Sequence, residues 1–379
     1  MKNKLLISLP LVLTAVAANA QSSVALYGII DTGIDYVNNQ TTAQNGQAIA
    51  GSGGATVRES SGVPLGSRWG LLGGEDLGAG LKAIFRLESG FSSVNGSLGG
   101  SNQIFSRNAY VGVQSEKLGT VTFGKQWDTI VDMLEPFSLN GNYGGYYFAH
   151  PNDMDNMDNG FSVNNAVKYA SPALYGIRLE GHYSFGGQAG QFSNQSSYSG
   201  AVSYSIGDFA TAVAYERVND PQVAVASYQS GGSFVNSVYG NSLANARSQS
   251  IFAAGASYQL NKLKMLADFT NTTFQQADAG HAVTFQNYEI SAIYSLTGAT
   301  TVAGGYTYTT GRNHNTSAVP KYQQLNLIAQ YALSKRTNVY LMSALQRASD
   351  AAEFAQIAGF NPSSSNKQAV VRAGLTHQF

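Results

Sequence analysis

The chain alternates apolar and polar residues with a two-residue period over much of its length, and this pattern limits its fold most strongly. In residues 369–379 the odd positions are mostly apolar, the even positions are mostly polar, and Phe379 is the final residue. The same alternation occurs in residues 81–88, 177–185, 263–270 and 288–295. A period of two residues predicts β-strands with one apolar face and one polar face.

Residues 1–20 have the pattern of a secretory signal. Lys2 and Lys4 precede an apolar stretch, and Ala18-Asn19-Ala20 supplies a small-x-small cleavage site. The apolar stretch is shorter than the roughly 20 residues that a membrane-spanning helix needs. We therefore expect residues 1–20 to be removed as a signal peptide and residues 21–379 to form one barrel domain. An exported chain whose last strand ends in an aromatic residue is expected in the outer membrane of a Gram-negative cell.

Composition excludes several classes of function. The chain has 22 basic and 22 acidic residues, and the expected cleavage removes two lysines and no acid, so the mature chain is slightly acidic. No nucleic-acid partner is therefore expected. The absence of cysteine excludes disulfides, thiol catalysis and cysteine-ligated metals. No long apolar run follows the signal, which is typical of membrane barrels because their lipid-facing and water-facing residues alternate.

The sequence gives no reason to expect a metal or another cofactor. The histidines lie on different predicted hairpins without the spacing of a metal site: His150, His182, His281, His314 and His377. Residues 153–160 are rich in aspartate, but positions five and twelve of a hand-type calcium loop would be Met157 and Asn164. That motif is therefore rejected, and loose calcium binding by the carboxylates stays an open alternative.

The connections between the predicted strands fall into two classes that alternate along the chain. Tight turns lie near residues 74–80, 115–119, 171–176, 205–209, 259–263, 295–300 and 332–337. Long polar loops span residues 37–64, 90–104, 128–162, 186–199, 219–248, 272–284, 310–321 and 348–367. Short turns on one side and long loops on the other are typical of bacterial outer-membrane barrels.

These connections predict an all-β fold, a transmembrane antiparallel β-barrel of 16 strands with short periplasmic turns and long extracellular loops. A soluble sandwich would alternate in the same way, but its apolar face would need a second sheet. Backbone groups in lipid must all be paired, so strands that span the bilayer must close into a ring. A ring of this size encloses an aqueous channel.

Four segments resemble general-diffusion porins of the betaproteobacterial type, and the resemblance runs from residue 22 to residue 379. They are residues 23–31 (SVALYGIID), 67–70 (SRWG), 75–85 (EDLGAGLKAIF) and 119–126 (GTVTFGKQ). The resemblance implies a homotrimer of 16-stranded barrels in outer-membrane lipid and lipopolysaccharide, each with a water-filled pore narrowed by an inward-folded third loop. It also implies that Phe379 is recognised by the barrel-assembly machinery. Ions and small hydrophilic solutes would pass through the pore.

The third long loop, residues 128–162, is the candidate constriction. Between Lys125 and Lys168 the chain has no lysine or arginine. The loop carries six acids: Asp128, Asp132, Glu135, Asp153, Asp155 and Asp158. Such a cluster alone fits a solvated surface loop equally well, whereas the resemblance implies that the loop folds inward.

Three arginines are candidates for the opposite wall of the pore. Arg68 and Arg86 each lie six residues from the first tight turn, which places them roughly 14 Å up the strands, about half of the ~25 Å apolar band. Arg86 falls on the polar face, where it could also pair with Glu88. Simple alternation points Arg107 outward, so a bulge or the strand end would have to turn it in. The resemblance implies that Arg68 and Arg107 line the constriction.

These charges predict a weakly selective channel that leans toward cations, because six loop acids oppose about three wall arginines. Strongly anion-selective relatives carry a further arginine on the loop, where residues 147–153 of this chain offer only His150. One alternative is a channel specific for sugars or anions, in which aromatic loop residues such as Tyr143 and Tyr146 stack on the solute instead of packing against the wall.

Two further alternatives are weaker. A barrel enzyme would need a Ser/His or Asp/His constellation, which nothing in the sequence specifies, and such enzymes resemble narrower barrels in shorter chains. An adhesin or structural barrel would need a plugged lumen, and the chain has no plug domain. We therefore expect a channel and not an enzyme.

Overall fold

The computed structural model describes residues 23–41, 51–100, 103–228, 238–239, 243, 245–276 and 281–379. The predicted signal, residues 1–20, lies outside the described residues. No helix in the described part of the chain is long and apolar enough to cross a membrane.

Almost all regular structure is β-strand. The strands are β1 (Ser23–Gln40), β2 (Gly54–Ser61), β3 (Arg68–Gly78), β4 (Leu81–Gly90), β5 (Asn108–Ser115), β6 (Gly119–Gln126), β7 (Val163–Ala170), β8 (Ile177–Ser184), β9 (Ser197–Ile206), β10 (Phe209–Asn219), β11 (Ala246–Leu260), β12 (Leu263–Gln276), β13 (Ala282–Ser295), β14 (Thr300–Asn313), β15 (Pro320–Ala332), β16 (Thr337–Asp350) and β17 (Lys367–Gln378). Two helices lie in loops, α1 (Thr129–Met133) and α2 (Pro221–Tyr228).

The strands form one closed antiparallel sheet with 16 positions, as predicted. Of its 17 strands, β17 pairs with β1 and closes the ring. On its other edge β1 pairs with β3 over residues 23–29 and with β2 over residues 32–40. Strands β2 and β3 therefore share a single position in the barrel, which is interrupted at residues 62–67.

The first loop is shorter than residues 37–64, the range expected from the sequence. Strand β1 continues to Gln40, and residues 54–61 return as β2 beside it. The chain-breaking residues Gly62, Pro64 and Gly66 follow this strand and turn the chain toward the lumen, where the Val63 N–H donates to Asp31 (2.9 Å). The seven tight turns are confirmed, and the first of them has Gly78, Ala79 and Gly80 at positive φ, a conformation that favours glycine.

The two faces of the strands differ as the alternation predicts. On β1, Ile34 and Tyr36 are exposed on the outer face, whereas Asp31 and Asp35 are fully buried on the inner face. An apolar outer face and a polar inner face suit a wall between lipid and water. The alternation thereby points the charged residues within the strands, such as Arg86 and Glu88, toward the lumen.

The third loop, residues 127–162, folds into the barrel, as the resemblance implied. Helix α1 packs on β9 and β10, and the following turns reach β11, β12 and β15. Small wall residues such as Ala212, Ala214 and Ala253 make room for Ile130 and Leu134, which are fully buried. Burying one such side chain stabilises by roughly 1.5–3 kcal/mol, so this packing holds the loop against the wall.

The far part of the third loop is held by close backbone contact and aromatic packing. Gly145 has φ +51°, and a Cβ at this position would lie 1.6 Å from the Val63 carbonyl oxygen. Only glycine therefore fits beside residues 62–67, the interruption between β2 and β3. Tyr147 and Phe148 are fully buried in a cluster with wall residues such as Ala344. Both rings therefore pack the loop against the wall.

Candidate functional site

A cavity of about 790 Å³ lies between the third loop and the barrel wall. Its charged lining residues come from both sides: Arg68, Arg86, Glu88 and Arg107 from the wall, and Asp132, Glu135 and Asp158 from the loop. The three arginines and three of the six loop acids singled out from the sequence thus meet in one space.

On the barrel wall, Glu88 lies among the three arginines that line the cavity. Its carboxylate accepts hydrogen bonds from Arg107 Nε at 2.7 Å, Arg86 Nη2 at 2.5 Å and the Tyr27 hydroxyl at 2.7 Å. Arg68 Nε is 3.8 Å from the same carboxylate. The Glu88 side chain is 1% exposed, whereas the three arginine side chains are 18–34% exposed, so the arginines present positive charge to the cavity. From the sequence, Glu88 is expected only as a partner of Arg86.

Arg107 faces the cavity because it precedes the strand. Val111 and Val113 are exposed on the outer face of β5, so strict alternation would send Arg107 outward. However, β5 begins at Asn108, and the Arg107 guanidinium turns inward over the Trp127 ring, 4.9 Å from its centroid. This placement answers the question that the sequence left open.

Burial controls the ionisation of the loop acids that line the cavity. It raises the pKa of Glu135 to about 7, although Asn159 donates a hydrogen bond to its carboxylate. Burial, with Asp153 and Glu135 nearby, raises the pKa of Asp158 well above its usual range. Asp132 is exposed and forms an ion pair with Lys168.

The other three acids of the loop lie elsewhere. Asp128 is fully buried and caps α1 by accepting the Val131 N–H (3.0 Å). Asp155 is fully buried against the wall, so neither it nor Asp128 presents a carboxylate to the channel, although the sequence placed all six acids at the constriction. Asp153 accepts two backbone N–H groups of residues 158 and 160 and lines a separate cavity of about 210 Å³.

A second charged cluster, which the sequence did not predict, joins the first strand to the last. Arg372 Nη2 is 3.0 Å from Asp31, Nη1 is 2.7 Å from Asp35, and all three side chains are fully buried. The Tyr147 hydroxyl donates to Asp35 (2.6 Å), which connects the third loop to the β1–β17 seam. Alternation already placed Arg372 on the polar face, but its partners lie more than 330 positions away.

Phe379 also lies at this seam. Its N–H donates to the Gly28 carbonyl (3.0 Å), and the Gly28 N–H donates to the Phe379 carbonyl (3.1 Å). A Cβ on Gly28 would lie 2.2 Å from the Phe379 ring, so the ring covers this glycine closely. The final residue therefore takes part in barrel closure.

Known proteins share this architecture. The sequence profile of the Gram-negative porin family matches residues 8–351. An outer membrane porin protein of Bordetella pertussis is 31% identical to this chain, over 90% of the chain and 93% of the relative.

Two solved structures show the same fold. The structure described as an anion-selective porin from Comamonas acidovorans has a TM-score of 0.73 at 24% identity and covers 95% of this chain and all of its own. A trimer form of OmpT from Vibrio cholerae has a TM-score of 0.67 at 15% identity, over 94% of this chain and 99% of its own.

Proposed function

This chain belongs to the Gram-negative porin family and lies in the outer membrane, and we propose that its barrel is a general-diffusion channel for ions and small hydrophilic solutes with weak charge selectivity. The observation that carries this proposal is the 790 Å³ cavity, where wall arginines face loop acids across open space. Such opposed charges select ions by their field and require no chemistry on the solute.

The selectivity is weak because the charges of the cavity nearly balance. Arg68, Arg86 and Arg107 are opposed by Glu88 and by Asp132, which is also paired with Lys168, while Glu135 is about half ionised near neutral pH. Burial and the neighbouring Asp153 and Glu135 raise the pKa of Asp158 well above its usual range. His150, the residue that takes the place of a loop arginine, is fully buried and adds no charge to this lining. The cation preference appears only as Glu135 and Asp158 ionise.

The aromatic loop residues favour general diffusion over a sugar-specific channel. Tyr147 and Phe148 are fully buried, so they offer no face to a solute. Tyr146 lines the cavity, but its ring also packs edge-on against Tyr147, with 4.9 Å between the centroids. The mature protein is residues 21–379 after removal of the signal. Three copies assemble, as in the trimer form of the outer membrane protein OmpT from Vibrio cholerae, whose fold is similar.

Conductance measurements test this function. We expect the protein purified from outer membranes to insert into planar lipid bilayers and to raise the conductance in steps. The open channels should then close in groups of three. Addition of an oligosaccharide or of phosphate should leave the conductance unchanged. A saturable block would instead favour a solute-specific channel, and the absence of steps would contradict an open pore.

The selectivity is expected to depend on pH through Glu135. Because burial raises its pKa to about 7, lowering the pH through this value removes negative charge from the cavity and shifts the reversal potential in a KCl gradient toward anions. The Glu135→Gln variant should show, at every pH measured, the selectivity that the unaltered channel has at low pH. Glu116→Gln, in the turn between β5 and β6, is the matched control and should keep the pH dependence. An unchanged pH profile in Glu135→Gln would contradict this assignment.

A further inference from the structure

Three side chains from separate parts of the chain converge in a fully buried cluster behind the third loop. They are His150 of the loop, Asp268 of β12 and Glu289 of β13. His150 Nε2 is 3.6 Å from Asp268 Oδ1 and 3.7 Å from Glu289 Oε2, and one ligand atom from each residue lies within 4.8 Å of the others. No sequence motif joins them, because each comes from a different hairpin or loop.

The spacing of these atoms is too long for hydrogen bonds and suits ligands of a common ion. An N–H···O hydrogen bond spans about 2.7–3.2 Å. Two ligands at ~2.1 Å from a tetrahedral metal ion lie roughly 3.4 Å apart. Accordingly, His150 Nε2 and both carboxylate oxygens of Asp268 have no hydrogen-bond partner among the described residues, although both side chains are fully buried.

The surroundings orient these atoms as they do in metal sites. His150 Nδ1 is 2.6 Å from Asp155 Oδ2, and a carboxylate on the second ring nitrogen is the usual support of a metal-binding histidine. Asp155 itself accepts hydrogen bonds from Thr270 (2.5 Å) and Asn287 (3.0 Å). The free nitrogen of His150 is thereby aimed at Asp268 and Glu289.

Hydrogen bonds also fix the orientation of the Glu289 carboxylate. Its Oε1 accepts the Leu139 N–H (2.6 Å) and the Ser291 hydroxyl (2.7 Å), and its Oε2 accepts the Thr307 hydroxyl (3.1 Å). Oε1 thereby uses both of its lone pairs, whereas Oε2, the oxygen nearer His150, keeps one free, so these bonds fix the carboxylate without saturating it.

The charge of the cluster also calls for a cation. Asp155, Asp268 and Glu289 are all buried, and uncompensated carboxylates are costly away from water. Within the described ranges, no lysine or arginine nitrogen lies within 4.0 Å of their oxygens. A divalent ion would supply the missing positive charge.

We propose that His150, Asp268 and Glu289 bind one divalent transition-metal ion, best matched by Zn²⁺, which ties the third loop to the barrel wall. One imidazole and two carboxylates suit zinc with a fourth position open, whereas Ca²⁺ takes six to eight oxygen ligands. The site is structural and separate from the diffusion pathway, because His150 does not line the 790 Å³ cavity.

Metal analysis of the purified, folded protein tests the site. We expect one equivalent of Zn²⁺ per chain, and after removal by a chelator, Co²⁺ should bind with the visible absorption of a four- or five-coordinate ion. Asp155→Asn should weaken Zn²⁺ binding by about 10–100-fold, since it removes only the support of His150. His150→Gln and Asp268→Asn should weaken it further.

His182→Gln is the matched control. His182 is also buried, but its ring nitrogens contact Ser197 and Ser199, so this variant should retain the metal. Heat-modifiable migration on gels confirms that each variant is folded, and the two ligand variants on different elements guard against a folding defect in one. The proposal is overturned if wild-type protein binds Zn²⁺ and Co²⁺ no more tightly than His150→Gln.

Discussion

Replacing Arg372 with methionine is expected to destabilise the barrel by about 3–5 kcal/mol, the usual cost of removing one partner from a buried ion pair. Arg372, Asp31 and Asp35 are fully buried, so the substitution leaves Asp31 without its cation and leaves Asp35 with only the half-buried Arg58, 3.4 Å away. It also removes the hydrogen bonds from Arg372 to Tyr340 and Ser60. The effect falls on the β1–β17 seam, where the ring closes.

Urea unfolding in lipid vesicles, followed by the fluorescence of Trp69 and Trp127, measures this loss. Arg372→Lys keeps the charge but cannot bind both carboxylates as the guanidinium does. It should therefore lower the free energy of unfolding by less than Arg372→Met does. Combining Arg372→Met with Asp31→Asn and Asp35→Asn should recover much of the stability, because no buried charge is then left alone. Lys321→Met, which breaks the exposed pair with Asp350, should change little. Equal effects of Arg372→Met and Lys321→Met would contradict the prediction.

Replacing Glu88 with glutamine is expected to make the channel clearly anion-selective. The carboxylate neutralises part of the charge of Arg68, Arg86 and Arg107, and glutamine keeps its size while removing that charge. One unit charge about 4 Å from a passing ion changes its energy by about 1 kcal/mol in water, equivalent to about five-fold in local ion concentration. Because the change favours chloride and disfavours potassium to the same extent, the permeability ratio of chloride to potassium should rise by about the square of that factor, roughly 25-fold.

The reversal potential in a KCl gradient at low ionic strength measures this shift, since salt screens the field. Glu116→Gln changes the net charge of the protein equally but lies in the turn between β5 and β6, so it should leave the potential unchanged. An unaltered potential in Glu88→Gln, or a shift toward cations, would mean that the arginines do not control the passing ions.

The periodicity of the sequence does not predict where Arg107 and the loop acids lie, because their positions depend on where a strand begins and on the path of the third loop. Arg107 faces inward because β5 begins one residue later, and strand ends are the least certain part of a pattern of alternation. Asp128 and Asp132 differ by four positions, yet the first caps α1 in the interior and the second is exposed beside the channel. Their chemistry is identical in the sequence, and only the path of the folded loop separates their roles.

By itself, the sequence determined the closed antiparallel barrel, its seven tight turns, its two-faced strands and the outer-membrane location. These features follow from local rules, because a period of two residues and a turn signal each involve only neighbouring positions. The tertiary structure alone decided which charges meet: Glu88 among three arginines, Arg372 with Asp31 and Asp35, and His150 with Asp268 and Glu289. Their energies depend on distance and burial in three dimensions, which ring closure and the inward path of the third loop set together.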